Sequence, residues 1–154
     1  MNRFVIAVVF GIVLTITGPA SAQRQQAVAS DSATLVGTWR VVSLEADGKP
    51  SRPEDVAKIT VINTADGGWT ILVGGKMVAK GTNELLSESA PKGIDFVVTE
   101  TSDGPTMRRH QGIYELEQDT RRLCFSGPGA ARPVEFAAPQ GSGQILVSLE
   151  RVAH

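Results

Sequence analysis

From residue 35 onward the sequence is a succession of short β-branched runs separated by turns rich in glycine, which leaves few folds open. The runs are 38–45, 58–64, 69–73, 76–86, 94–101, 107–117, 121–126, 133–137 and 144–152. The pair Gly74-Gly75 suits a two-residue hairpin. A single helical turn with proline near its start is expected within 50–57, and no segment shows a convincing amphipathic helix of three turns. Many short strands of this kind are typical of a closed barrel or a sandwich.

The pattern predicts an all-β fold, a small antiparallel up-and-down barrel of about eight to nine strands, because neighbouring runs are mostly joined by hairpins. A sandwich with Greek-key crossings is the alternative. The first run opens with Gly37 and carries Trp39, which we expect to plug one end of the barrel. Because the first and last strands of a closed barrel are neighbours, Arg151 can lie across the Trp39 indole. Gly37, Trp39 and Arg151 are therefore candidate residues of barrel closure, and the alternative is that Arg151 is a solvated residue near the C-terminus.

The run 107–117 and the run 121–126 can be placed in register if Gln118-Asp119 is the turn between them. The expected pairs are Glu117 with Thr120, Leu116 with Arg121, Glu115 with Arg122, Tyr114 with Leu123, Ile113 with Cys124 and Gly112 with Phe125. Side chains alternate across a strand, so one face is apolar and predicted to be core. That core face consists of Gly112, Tyr114, Leu116, Leu123 and Phe125. The opposite face, with a Glu115–Arg122 pair, is predicted to point outward, and Arg121 is expected to reach out of the barrel mouth.

The first 34 residues do not resemble the rest of the chain. Arg3 precedes an apolar run at 4–16, and Ala20-Ser21-Ala22 is a cleavage signature, so residues 1–22 are predicted to be a secretory signal peptide. The run is shorter than the about 20 apolar residues that span a membrane. Residues 23–34 are small and polar and are predicted to be a flexible leader, and the domain is expected at 35–152. This organisation predicts an extracytoplasmic protein, periplasmic or secreted, with no membrane span after cleavage.

Composition weighs against nucleic-acid partners. Without residues 1–22, which contain one arginine, the chain has 14 Lys and Arg against 16 Asp and Glu, a net charge of −2. It offers no basic surface for a phosphate backbone and few aromatic rings for base stacking. The single cysteine, Cys124, excludes an internal disulfide, so the fold must rest on its core.

Each candidate for chemistry has a simpler interpretation. His110 has no partner in the sequence for acid–base catalysis, and an exposed strand histidine is the favoured interpretation. Cys124 lies between apolar neighbours that do not lower a thiol pKa, so a buried structural cysteine is favoured. Asp95 and Glu115 lie on different strands, which weakens the hypothesis of an acid–base dyad.

Two further kinds of site find little support. The arginines at 108, 109, 121 and 122 could bind an anion on two paired strands, although solvated surface charge is the favoured interpretation. One cysteine and two separated histidines do not form a metal site. No catalytic residue, metal ligand or cofactor is therefore predicted.

Several short blocks recur in an order that resembles a known family. They are Leu35-x-Gly37-x-Trp39, Ser43-Leu44-Glu45-x-Asp47-Gly48-Lys49, Pro91-x-x-Ile94-Asp95, Gly112-Ile113-Tyr114-Glu115-Leu116, Leu123-Cys124-Phe125, Arg132-Pro133-x-x-Phe136 and Leu149-x-Arg151. Over residues 35–151 the chain resembles a lipocalin-like secreted domain family, largely uncharacterised and abundant in planctomycete-type bacteria. The resemblance implies a barrel and export but no reaction. The chain departs from the family at Gln118, where a turn glycine is usual, and at Arg121, where an apolar residue is usual.

These observations predict a secreted, non-enzymatic binding module. The resemblance to the wider lipocalin group implies a small apolar ligand inside the barrel. The alternative is a protein-interaction or inhibitor-type domain with a solid barrel, whose partner would be another extracytoplasmic protein. An enzyme is the third possibility. A cavity of about 300 Å³ or more would favour the ligand.

Overall fold

The computed structural model describes residues 19–86 and 89–153. In this part of the chain two helices, α1 (Pro19–Leu35) and α2 (Pro53–Val56), accompany nine strands. The strands are β1 (Gly37–Ala46), β2 (Lys49–Pro50), β3 (Ile59–Asn63), β4 (Gly68–Val73), β5 (Lys76–Leu86), β6 (Lys92–Thr101), β7 (Gly104–Leu116), β8 (Thr120–Phe125) and β9 (Ile145–Arg151). The signal-peptide prediction lies mostly outside the described residues.

The sheet is an antiparallel meander that closes on itself. Strands β3 to β9 pair in chain order, β1 pairs with β3, and β1 also pairs with β9. This last pairing, which sets Trp39 opposite Arg151, closes a barrel of eight strands, and the short β2 pairs with β1 outside it. The predicted all-β barrel is confirmed, and the sandwich alternative is wrong.

The barrel has two different ends. At one end lie the start of β1, the β7–β8 turn and the end of β9, and we name this the closed end because α1 leads into it. At the other end lie the β4–β5 turn at Gly74-Gly75, the β6–β7 turn and α2. Helix α2 is the proline-initiated turn that the sequence predicts, and its Val56 is buried in the core.

Residues 23–34, which the composition predicts as a flexible leader, are helical in the structure as part of α1. Alanine and glutamine have high helix propensity, so this helix can form without an apolar stripe. The prediction missed it because an apolar stripe is the usual sequence signal of a helix. Asp31 fixes α1 to the closed end, because its Oδ2 accepts hydrogen bonds from Tyr114 Oη and Lys92 Nζ, both at 2.7 Å. Burial and this carboxylate raise the pKa of Tyr114. Neither α1 nor any other helix in the described ranges is long and apolar enough to cross a membrane.

The β7–β8 hairpin has the register expected from the sequence. Tyr114 pairs with Leu123 and Glu115 with Arg122, whose side chains form an ion pair at 3.2 Å. On the core face, Tyr114 and Leu123 are buried and Leu116 and Phe125 pack against the core. Gly112 completes this face, and a Cβ there would lie 2.8 Å from the Cys124 carbonyl oxygen, which leaves room only for glycine.

The outer face of this hairpin differs from the prediction. Ile113 and Cys124 point away from the barrel yet are 1% and 0% exposed. They are covered by the segment 126–144, which contains the predicted strand 133–137 but forms no strand in the structure. Three prolines in this segment, Pro128, Pro133 and Pro139, have no N–H to donate to a ladder, which favours an irregular cover over another strand. The segment is held by contacts such as Cys124 Sγ to the Ala137 carbonyl at 3.1 Å.

Candidate functional site

The interior of the barrel contains an apolar cavity of about 210 Å³. All eight barrel strands contribute residues to its lining, because the inward positions of each strand alternate with outward ones. The apolar lining includes Val41, Val61, Ile71, Ala79, Phe96, Leu123 and Val147. The cavity is smaller than the about 300 Å³ typical of drug-sized pockets. It is larger than the about 150 Å³ apolar cavity that binds benzene.

Three polar side chains interrupt this lining, namely Asn63, His110 and Arg121. Trp69 also lines the cavity, but its Nε1 donates to the Thr82 carbonyl at 2.9 Å and is satisfied. No aspartate or glutamate is among the lining residues that the structure describes. Hydrogen-bond donors therefore predominate, although the amide oxygen of Asn63 and the second ring nitrogen of a neutral His110 can accept.

Arg121 does not reach out of the barrel mouth, so that prediction is wrong. The residue is 5% exposed, and its Cζ lies 5.1 Å from the centre of the Trp39 ring. Its pairing with Leu116 and Leu149 on the neighbouring strands turns the side chain into the interior. Burial, together with the nearby charge of Arg151, lowers the pKa of Arg121 to about 9, so the guanidinium remains charged at neutral pH.

His110 is half-buried rather than exposed, because it is an inward residue of β7 and lines the cavity. Its Nδ1 lies 2.9 Å from the Ser126 carbonyl oxygen. A carbonyl only accepts, so Nδ1 is the donor. The ring also contacts Phe125 edge to face, with centroids 6.0 Å apart. These contacts place His110 in the wall of the cavity, and neither contact is with a nucleophile that it could activate.

The closed end of the barrel is built on Trp39, which is fully buried. Its Nε1 donates to the Leu35 carbonyl at 2.9 Å, and Arg151 Cζ lies 4.3 Å from the ring centre. The Arg151 guanidinium also donates to the carbonyls of Thr34, Val36 and Gln118. Gly37 has φ 127°, and a Cβ there would lie 2.8 Å from Arg151 Nη1, so glycine makes room for this contact. The structure thus brings the three predicted closure residues together.

Asp95 and Glu115 are not a carboxylate dyad. Asp95 is 5% exposed and accepts from Arg109 at 2.5 Å and from Arg132 at 2.6 Å, whereas Glu115 pairs with Arg122. Burial alone would raise the pKa of Asp95, but the hydrogen bonds from the two arginines outweigh it and hold that pKa below its ordinary value. A carboxylate held ionised in this way is a structural anchor and not a general acid.

Arg132 attaches the covering segment to the outside of the barrel. Besides Asp95, it donates to the carbonyl oxygens of Ile94 and Gly112, at 3.1 and 2.5 Å. The sequence segments that contain Asp95 and Arg132 therefore meet on the outer surface of β6 and β7, although they are far apart in the sequence. This cluster faces away from the cavity and supports the fold.

The four clustered arginines of the sequence do not form one anion site. Arg109 pairs with Asp95, Arg121 is inside the barrel, and Arg122 lies over the Phe136 ring at 4.3 Å. Cys124 is buried, as its apolar neighbours indicate, and burial raises the pKa of its thiol. No group of three or more His, Cys, Asp or Glu within residues 19–86 and 89–153 is arranged to hold a metal ion.

Asn63 is the cavity residue that the sequence interpretation missed. It follows Ile59 and Val61 at a spacing of two, and all three line the cavity. The alternation within the run 58–64 could have identified it as an inward polar residue. The sequence does not indicate that Asn63 is buried, because a polar residue at the end of a strand usually belongs to the turn.

Comparisons with protein-family models, with curated proteins and with solved structures find no match to this chain. The lipocalin-like resemblance therefore rests on the sequence blocks alone. The cavity and its lining are the observations from which a function can be argued.

Proposed function

We propose that this protein is an exported, lipocalin-like binding module that holds one small, largely apolar molecule inside its barrel. The observation that carries the proposal is the apolar cavity of about 210 Å³. Removal of apolar surface from water favours binding by about 25 cal/mol per Å². The cavity supports this function over the alternative of a solid barrel that binds another protein through its outer face. No described group in the cavity is arranged for catalysis, so binding without turnover is the activity proposed.

Filling the cavity should weaken binding. Ala79 lines the cavity, and Ala79→Leu adds three carbon atoms to it. We expect the variant to bind 1-hexanol at least about fivefold more weakly, because each buried methylene is worth about 0.8 kcal/mol. Binding can be measured by chemical-shift titration of the labelled protein with benzene and with 1-hexanol.

The matched control is Lys80→Leu, which adds leucine at the next position of the same strand. Lys80 faces outward and pairs with Glu100 at 2.7 Å, so this variant should bind like the unmodified protein. Equal binding by both variants would show that the probe does not enter the barrel. Failure of benzene and 1-hexanol to bind at all would reject the proposed function.

Export is the second part of the proposal, and the sequence of residues 1–22 supports it. Cleavage after Ala22 would leave most of α1, including Asp31, attached to the barrel. Intact-mass measurement of protein recovered outside the cytoplasm should show loss of residues 1–22. A mature form that keeps the apolar run 4–16 would contradict this prediction.

A further inference from the structure

Two buried donors in the cavity have no hydrogen-bond partner among the residues that the structure describes. Asn63 and Arg121 are each 5% exposed and both line the cavity. Asn63 Nδ2 and Arg121 Nε are the buried side-chain nitrogen or oxygen atoms without a hydrogen bond among residues 19–86 and 89–153. Buried polar atoms in folded proteins are nearly always hydrogen-bonded, so each exception calls for an explanation. Both atoms are donors, so one kind of group, an acceptor, could satisfy both.

Arg121 also lacks a counter-charge within the described part of the chain. None of the ion pairs within the described residues includes it, and the lining contains no carboxylate. Arg151, which lies over the same Trp39 ring, carries a like charge and disfavours the charged form. The Trp39 ring offers a cation–π contact but no hydrogen-bond acceptor. A buried cation in this position is costly unless an anion joins it.

The other arginines that lie partly inside the protein are well satisfied, which makes Arg121 the exception. Arg151 donates to three backbone carbonyls, and Arg132 donates to two carbonyls and to the Asp95 carboxylate. The fold therefore provides acceptors for guanidinium groups that support its structure. Inside the barrel it provides a charged donor and leaves the acceptor to come from elsewhere.

Both donors lie toward the closed end of the barrel. Asn63 pairs with Gly37 across the β1–β3 ladder, two residues from Trp39, and Arg121 lies over the Trp39 ring. Apart from His110, the rest of the lining is mainly apolar, and Ala79, Val98 and Ile145 lie toward the other end. A ligand that fits this distribution has an acceptor at one end and a hydrocarbon tail.

We propose, as an extension of the proposed function, that the cavity binds a small carboxylate whose tail occupies the barrel and whose carboxylate accepts hydrogen bonds from Arg121 and Asn63. A carboxylate matches the planar guanidinium and supplies the missing negative charge. Benzene fills an apolar cavity of about 150 Å³, or about 25 Å³ per heavy atom. At that density the cavity of about 210 Å³ takes about eight heavy atoms, the size of hexanoate.

The test compares three probes of equal chain length, hexanoate, 1-hexanol and hexylammonium, by isothermal titration calorimetry at neutral pH. We expect hexanoate to bind about 10- to 100-fold more tightly than 1-hexanol, because a hydrogen bond to a charged group is worth more than one to a neutral group. Hexylammonium should not bind measurably. Arg121→Met should reduce hexanoate affinity to that of 1-hexanol while changing 1-hexanol affinity less than about twofold. Asn63→Leu should weaken hexanoate about threefold to tenfold.

The control variant is Arg122→Met, which removes the same charge from the adjacent residue of β8. Arg122 faces outward onto Phe136, so hexanoate affinity should be unchanged. Equal affinity for hexanoate and 1-hexanol would overturn the carboxylate assignment and leave the proposed function intact. Failure of both to bind would overturn the proposed function itself. Two results would indicate a general anion effect and would also overturn the assignment. One is that Arg121→Met and Arg122→Met weaken hexanoate binding equally. The other is that chloride competes with hexanoate equally in both variants.

Arg121→Met is expected to unfold at the same or a higher temperature than the unmodified protein, since replacing a buried charge with an apolar group is often stabilising. Should the variant not fold, the unmodified protein provides a second measurement. With ¹⁵N-labelled protein and carboxyl-¹³C hexanoate, the Arg121 Nε–H resonance should shift in a saturable way as hexanoate is added. An unshifted resonance at saturation would overturn the proposal.

Discussion

Replacing Trp39 with alanine is expected to lower the free energy of unfolding by about 3–5 kcal/mol, the usual range for loss of a buried aromatic side chain. The indole is fully buried and packs at the closed end, where its N–H satisfies the Leu35 carbonyl. The substitution removes this packing and leaves that carbonyl without its donor. Urea unfolding followed by circular dichroism measures the loss, and a change below about 1 kcal/mol would contradict a central role for Trp39 in the core.

The contact between Trp39 and Arg151 can be separated from burial by a double-mutant cycle. Trp39→Phe and Arg151→Met keep much of the volume and remove the indole and the guanidinium. We expect a coupling energy of about 0.5–2 kcal/mol. The control cycle pairs Trp39→Phe with Arg40→Met, because Arg40 faces outward and bonds to Glu150 at 2.6 Å. A coupling no larger than that of the control would show that Arg151 acts only through its bonds to backbone carbonyls.

Much of the barrel could be predicted because neighbouring residues in the sequence determine its strands and turns. The two-residue period of side chains fixed the faces of the β7–β8 hairpin, and the turn at Gln118-Asp119 fixed its register. Closure followed from the hairpin links, which leave the first and last strands as neighbours. Trp39 and Arg151 could be placed together for the same reason, although 112 positions separate them in the sequence.

The remaining features depend on contacts that periodicity does not encode. Cys124 is on the outer face, and its burial requires the segment 126–144 to fold back over the hairpin. That segment was predicted to contain a strand at 133–137, as one of the short runs between turns. Helix α1 was not predicted because its stability comes from helix propensity and from the contacts of Asp31 at the closed end, and the residues of α1 lack amphipathic spacing.

Only part of the candidate site could be predicted from the sequence, for a related reason. Arg121 stood out as a cation on an apolar face, but a long side chain near a turn can usually reach solvent, so the expectation placed its charge outside. Only the packed structure shows that the closed end prevents this. The sequence is similarly ambiguous at Asn63, since the side chain of a residue at the end of a strand can belong to the turn or to the core. Both residues break the apolar pattern of the interior. Sequence-level rules fail most often at functional or strained sites.

Asp95→Ala is expected to cost about 3 kcal/mol of stability, because it removes the acceptor of a buried ion pair and leaves Arg132 without its counter-charge. Asp95 joins Arg109 and Arg132, and through Arg132 it holds the covering segment against β6 and β7. The matched control is Glu115→Ala, which breaks the exposed pair with Arg122 and should cost less than about 1 kcal/mol. Urea unfolding of both variants at neutral pH provides the comparison, and equal losses would contradict the anchoring role of Asp95.

The effect of Asp95→Ala should also depend on pH in a defined direction. The two arginines hold the pKa of Asp95 below its unfolded value of about 3.9. A carboxylate with a depressed folded pKa contributes its full stability above the unfolded pKa, and loses it as pH falls through the folded pKa. The difference in unfolding free energy between the unmodified protein and Asp95→Ala should therefore be constant from about pH 7 to pH 5 and shrink below about pH 4. A difference that widens on acidification would mean that Asp95 is protonated in the folded barrel and that Arg132 is held by the Ile94 and Gly112 carbonyls alone.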